Sequence, residues 1–142
     1  KPFRRRSSLS AIQARASSGT VLLAPDGQHL TVGPNDAVGL NMTPPVHGHR
    51  PAGDCLLASV VAAYGDRAAG VVLTGMGSDG AAGLLALRQA GGLTITQDEE
   101  TSVVYGMPRV AHEIGAARYS LPLPEIASAL CRATAPAGSR GG

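Results

Sequence analysis

The chain has 142 residues, of which 44% are hydrophobic and only 3% aromatic, and a formal net charge of +2. That length suits one compact domain with a core of Val, Leu, Ile and Ala, and the composition excludes an intrinsically disordered chain. No apolar run approaches the length of a membrane-spanning helix, RRRSSLSAIQARASS lacks the apolar core of a signal peptide, and the charge outside KPFRRR is too evenly balanced for a nucleic-acid surface.

Residues 1–18 read as a basic polar N-terminal segment, loose and solvated. Thr20–Ala24 (TVLLA) reads as a strand and Pro25-Asp26-Gly27 as a turn. His29–Val32 (HLTV) is a second strand and Ala37–Met42 (AVGLNM) a third, with short turns that predict antiparallel hairpins. TPPVHGHRPAGD is a loop rich in Pro and His. Asp54 is placed to cap the helix CLLASVVAAYG, whose Leu56, Leu57, Val60, Val61 and Tyr64 recur at helical spacing.

Ala68–Thr74 is the next strand, and a glycine loop follows it. Ala81–Ala90 is a helix stopped by Gly91-Gly92, and Leu93–Gln97 is a strand. EETSVVYGMP is a loop. Arg109–Ile114 is a short helix, Tyr119–Leu121 a strand, and Pro124–Arg132 a closing helix entered through proline. Residues 134–142 form a disordered tail, which leaves 19–133 as the folded domain. From residue 50 on, helices and strands alternate, the signature of a parallel sheet wound with helices. Right-handed crossovers then bring the loops after Thr74 and Gln97 to one edge of that sheet, its carboxyl edge.

Cys55 and Cys131 each sit in an apolar helical pattern, with no C-x-x-C spacing, and read as buried reduced thiols of a cytosolic protein. A zinc site built from His47, His49 and a carboxylate is the lesser alternative to loop histidines that bond nearby backbone. The chain begins with Lys1 rather than Met, which suggests further sequence upstream.

VVLTGMGSDGAAG carries the main ambiguity. Gly75-Met76-Gly77-Ser78-Asp79-Gly80 fits G-x-G-x-x-G, the turn that cradles a dinucleotide pyrophosphate, and Asp98 stands 18 residues beyond Gly80, near the spacing of a ribose-binding acid. Three points oppose that reading. A carboxylate at Asp79 would repel the anion. The loop lies mid-chain rather than after the first strand of its domain. Asp98-Glu99-Glu100 is more simply a solvated loop start. Asp79 can equally be a helix cap or a reactive acid at a strand's carboxyl end.

The segments LTGMGSDGAAGLLALRQAGG, TITQDEETSVVYGMPRVA and IGAARYSLPLPEIA resemble the catalytic domain of CheB-type protein-glutamate methylesterases of bacterial chemotaxis. Upstream, VLLAPDGQHL and VHGHRPAGDCLL resemble that family's APxGxHL and GHRPSVD segments, in the same order. The likeness runs from about Gly19 to Leu130 and makes 19–133 a partial methylesterase catalytic domain. It implies an α/β fold, a doubly wound and mostly parallel sheet with an antiparallel hairpin, here incomplete at its N-terminal side.

The implied chemistry is hydrolysis of glutamate methyl esters, and in many members deamidation of glutamine, on the cytoplasmic helices of methyl-accepting chemoreceptors. The implied site is a Ser, His, Asp triad in which Asp79 matches the acid and the Met76 backbone N–H matches an oxyanion donor. Thr74, Gly75 and Gly77 shape the loop. No cofactor is implied, the location is cytoplasmic without membrane insertion, and a receiver domain upstream is a partner the family admits.

The family's nucleophile loop, Gly-x-Ser-Thr-Gly-Gly, and its Gln-His segment have no counterpart here. Ala16-Ser17-Ser18-Gly19 imitates the first, but it abuts TVLLAPDG and no strand precedes it to project the serine. Ser78 reads as a capping hydroxyl. His29 belongs to the hairpin, the family counterparts of His47 and His49 are not the base, and His112 is expected to be exposed. The expectation is a chain that holds the acid and one oxyanion donor without nucleophile or base, inactive by itself and marginally folded or associating, since strands missing from the sheet leave an uncovered edge. The alternatives are a Rossmann-like nucleotide-binding module and a non-catalytic receptor-binding fragment.

Overall fold

The computed structural model describes residues 4–6 and 14–134. In chain order these form β1 (Arg4–Arg6), β2 (Ala14–Arg15), β3 (Thr20–Leu22), β4 (His29–Val32), β5 (Ala37–Asn41), α1 (Gly53–Tyr64), β6 (Ala69–Val72), α2 (Ala81–Gln89), β7 (Leu93–Gln97), α3 (Met107–Glu113), β8 (Tyr119–Leu121) and α4 (Leu123–Thr134). The class is α/β: β6, β7 and β8 form a parallel sheet in that order, and β4 and β5 form an antiparallel hairpin.

The hairpin is closed by its turn chemistry. Asn35 and Asp36 take φ of 59° and 61°, and the Ala37 N–H donates back to the Pro34 carbonyl. Two left-handed residues in succession make a type I′ turn, whose twist matches that of the flanking strands, and Asn and Asp accept that conformation at low cost. Leu30 then pairs with Leu40 and Val32 with Val38. Arg15 donates through Nε and Nη2 to the Asn35 carbonyl at 3.0 and 2.7 Å, and β2 joins the outer edge of β5.

Two sequence expectations change here. β3 and β4 do not form a hairpin. β3 pairs in parallel with β1, while β4 pairs with β5. The APDGQ connection is too long to close a tight ladder, whereas the two-residue turn after Pro34 does so directly. The basic N-terminal segment also carries β1 and β2, where a loose tail was expected. Their pairing edges come from β3 and β5, which no local pattern announces. The tail beyond Thr134 lies outside the described residues.

The parallel sheet pairs Val71 with Ile95 and Ile95 with Tyr119. Leu84, Leu87, Ile95, Ala111 and Ala116 have no exposed surface, and Val72 and Ala81 are buried beside them. Aromatics make up only 3% of the chain, and helix and sheet approach closely. Gly70 allows this: a Cβ there would stand 2.9 Å from both Leu84 Cδ1 and Leu87 Cδ2. The α1 helix is less well covered, and none of its residues is fully buried. It lines an open groove of about 330 Å³ with Ala69–Leu73, Asp79 and Met107.

That partial cover corrects the cysteine reading. Both thiols are free, but Cys55 on α1 is half-buried and Cys131 on the outer side of α4 is exposed. His29, by contrast, is completely buried. Its Nε2 donates to the Pro44 carbonyl at 3.1 Å, and its Nδ1 accepts the Ala52 N–H at 3.3 Å. These partners assign the neutral Nε2-protonated tautomer. The ring thereby ties β4 to the residue that opens α1, and so positions the start of that helix.

Candidate active site

Beyond β6 the chain runs through Leu73–Gly80 at the carboxyl end of the parallel sheet before entering α2. Gly77 and Gly80 take φ of 94° and 93°, values that a side chain would strain. Gly80 is the N-cap of α2, and no side chain caps that position. Ser78, expected as a cap, offers only its carbonyl, which accepts the Ala81 N–H at 3.2 Å. The left-handed glycine turns the chain into the helix without it.

Asp79 does not cap the helix that follows it. Its Oδ2 accepts the Gly53 N–H at 2.7 Å and its Oδ1 accepts the Asp54 N–H at 3.0 Å, so it caps α1 from across the fold. Asp54 does not cap α1 as expected, because it already lies in that helix's first turn behind Ala52. Its Oδ1 instead accepts the Gly83 N–H of α2 at 2.7 Å. Each carboxylate therefore meets the positive end of the other's helix. Glycines make room for the exchange: a Cβ on Gly53 would be 3.3 Å from Asp79 Oδ2, and one on Gly83 only 2.6 Å from Leu57 Cβ.

The same loop is tied to residues 98–107. The Thr74 N–H donates to Gln97 Oε1 at 2.8 Å, and Gln97 Nε2 donates to the Thr101 carbonyl at 2.8 Å. Gln97 is 1% exposed, so its amide is committed to this bridge. Thr74 Oγ1 donates to the Val104 carbonyl and accepts the Val104 N–H. Gly75 forms a parallel bridge with Tyr105 and accepts from the Gly106 and Met107 N–H groups at 3.1 and 2.8 Å. Asp98 closes its own loop, with Oδ1 accepting the Thr101 N–H and hydroxyl. The Tyr105 phenol is raised above its ordinary value of 10.0, first by burial and then by the nearby charges of Glu99 and Glu113.

Met76 projects from this frame with 81% of its surface exposed, and Val103 on the neighbouring loop is 91% exposed. Met76 and Asp79 thus share one loop at the sheet's carboxyl end. The other candidates lie elsewhere. His47 occupies a tight turn at φ 49° between the paired Val46 and His49, and both histidines are exposed. Among the described residues no three His, Cys, Asp or Glu side chains gather as metal ligands. His112 is exposed on α3, and Ser17 and Ser18 lie in an exposed turn between β2 and β3. Gly53, Asp54, Gln97 and Gly106 were missed as site residues, since their partners are distant in sequence.

The family model for CheB methylesterase matches residues 5–130. The chain is 50% identical over 131 residues to a protein-glutamate methylesterase/protein-glutamine glutaminase of Symbiobacterium thermophilum, covering 89% of this chain and 36% of that one. It is 52% identical over 112 residues to the protein-glutamate methylesterase FrzG of Myxococcus xanthus, covering 79% and 34%. Its structure resembles the Thermotoga maritima CheB methylesterase catalytic domain, with a TM-score of 0.80 and 35% identity over 84% of this chain and 65% of that one. The chain thus spans a little over a third of the length of these curated relatives.

Proposed function

The chain belongs to the CheB methylesterase family, and from that premise we propose that it is part of a catalytic domain that hydrolyses glutamate methyl esters on chemoreceptors. Deamidation of receptor glutamines is the parallel activity, since both reactions expel a small group, methanol or ammonia, from the same acyl carbon. Asp79 is the acid that orients the triad imidazole, and the Met76 N–H is a donor to the oxyanion. The nucleophile and base come from sequence motifs that this chain does not contain, and the 142 residues are inactive alone. Residues 19–133 are the catalytic-domain portion, and the substrate is the cytoplasmic helical region of the receptor.

The observation that carries this reading is the fixed carboxylate at the end of β6. Two backbone N–H groups hold Asp79 in one orientation, and an acid that must orient an imidazole needs such a mount. The alternative, a phosphate cradle, draws less support. The Gly83 N–H of the first turn of α2 is already given to the Asp54 carboxylate, where a pyrophosphate would seek donors.

The test is methanol release from methylated receptor by this chain alone and by a hybrid. The hybrid joins residues 5–142 behind the amino-terminal portion of the Symbiobacterium relative. The chain alone is expected to release none, and the hybrid to release methanol in an Asp79-dependent manner. Hydrolysis by the chain alone, abolished by Asp79→Asn, would refute the missing partners. A hybrid indifferent to Asp79→Asn would refute the role of the acid.

A further inference from the structure

We infer that the backbone turn at Gly106 and Met107 locks the Gly75–Met76 peptide in the orientation that aims the Met76 N–H outward, which makes Gly106 a positioning residue for that donor. The inference rests on the reading of Met76 as an oxyanion donor and adds what sets its direction. The only cis peptide among the described residues is Arg50–Pro51, so Gly75–Met76 is trans, and its C=O and N–H lie in one plane and point in opposite directions. The Gly75 carbonyl is held by two donors, Gly106 N–H at 3.1 Å and Met107 N–H at 2.8 Å. The Met76 N–H must therefore point away from residues 106 and 107. Among the described residues it has no hydrogen-bond partner.

The lock reaches back along the loop. The Gly75 N–H donates to the Val104 carbonyl at 3.0 Å, and Thr74 Oγ1 pairs in both directions with Val104. The loop is thus held at the Thr74 side chain and at both backbone groups of Gly75, while the Met76 N–H is left open. Flipping it would turn the carbonyl outward, leave the Gly106 and Met107 donors without an acceptor, and present the N–H to them instead.

Glycine at 106 is a steric requirement of this arrangement. A Cβ there would stand 2.5 Å from the Gly75 oxygen, 3.2 Å from Gly77 N and 3.2 Å from Met76 Cα. All three are backbone atoms that cannot swing aside. Alanine must either push the Gly75–Met76 peptide away or rotate it. Gly75 has a contact of its own, since a Cβ there would collide with Met107 Cε.

NMR on the 142-residue chain tests the lock without any turnover. The expected signature is a coupling across the hydrogen bond between the Gly75 carbonyl carbon and the Met107 nitrogen, with Met107 exchanging its amide hydrogen about a hundredfold more slowly than Met76. In Gly106→Ala the coupling is expected to vanish, Met107 protection to fall at least about tenfold and the Met76 nitrogen resonance to move, while Leu84 and Ile95 keep their protection. Equal protection of Met76 and Met107 in the unsubstituted chain would overturn the inference, as would an unchanged coupling in Gly106→Ala. Should that variant fail to fold, Thr74→Val removes the side-chain tie to Val104 without adding volume. It is expected to speed exchange at Gly75 and Met107 relative to Ile95, and no change there would overturn the inference. A lock present by these criteria beside a hybrid enzyme indifferent to Asp79→Asn would instead count against the catalytic reading.

Discussion

Replacing Asp79 by alanine removes the side chain that caps α1. Two first-turn N–H groups, Gly53 and Asp54, then lose acceptors now at 2.7 and 3.0 Å. A lost cap costs about 0.5–2 kcal/mol, and losing an anion at a helix N-terminus costs about 0.3–1 more. The site is partly buried, which moves the expectation to the middle of the combined range, about 2 kcal/mol. With a urea slope of about 1.5 kcal/mol/M for a domain of this size, the midpoint falls by about 1.3 M.

Asp54→Ala removes one bond, to Gly83 at 2.7 Å, and should cost about 1 kcal/mol. The two caps are mechanically joined, because Asp79 holds the backbone of Asp54 while Asp54 holds the helix that Asp79 leads into. Freeing either loosens the other's partner. The double variant is therefore expected to be less unstable than the sum of the singles by about 0.5–1 kcal/mol. Urea melts of the four proteins, read by far-UV circular dichroism, give the cycle. An Asp79→Ala protein within about 0.3 kcal/mol of its parent would refute the cap, and additive single effects would refute the coupling.

Three further outcomes follow from other parts of the fold. Leu84→Ala, at a site with no exposed surface beside Gly70 and Leu87, should cost about 2–5 kcal/mol in the same melts. Thr96 Oγ1 is buried on β7 without a partner among the described residues, so Thr96→Val should stabilise the protein by about 1 kcal/mol. A destabilised variant would mean that this hydroxyl is satisfied. Tyr64 donates to Asp36 Oδ1 at 2.6 Å, and that bond raises its phenol above the usual 10.0. A raised folded value means a contribution that is complete below the unfolded pKa and lost as pH rises through the folded one. Stability should thus fall above pH 10, and Tyr64→Phe should flatten part of the fall, Tyr105 supplying another part. An unchanged alkaline slope in Tyr64→Phe would refute the linkage.

The parallel sheet was legible because its signals are local. Apolar runs at Ala69–Val72 and Leu93–Gln97, each followed by a helix of 3.6-residue period, specify βαβ units, and the bounds move by only a residue or two. Asp79 and Met76 were legible as candidates because they stand in one short motif. What could not be read depends on distant partners. Asp54 sits where an N-cap should be and has the residue type of one, yet its acceptor serves Gly83, 29 residues on. Gln97 reads as the last residue of a strand, and only the Thr74 N–H above it shows why an amide is needed there. Gly106 looks like an ordinary loop glycine until the Gly75 oxygen is placed against it. The β1–β3 pairing joins segments separated in the chain by β2, and no local pattern announces it.

The cap that Asp79 provides and the catalytic role proposed for it are compatible because a carboxylate has more acceptor capacity than α1 uses. An ionised Asp offers about four lone-pair sites on two oxygens, and α1 takes one on each. One site per oxygen remains for an imidazole N–H. Both backbone donors lie on consecutive residues of a helix whose start is fixed by the buried His29 ring, so the carboxylate plane cannot rotate without breaking a bond. A glutamate at position 79 would keep the charge but advance it by one methylene, past donors fixed in place by the helix. Asp79→Glu should therefore lose most of the cap and, in a complete enzyme, the orientation of the base, while Asp79→Asn keeps the reach and loses the charge. Comparing the two variants separates placement from charge: if Glu matches Asp in the urea melt, the mount is loose and the acid's position owes nothing to α1.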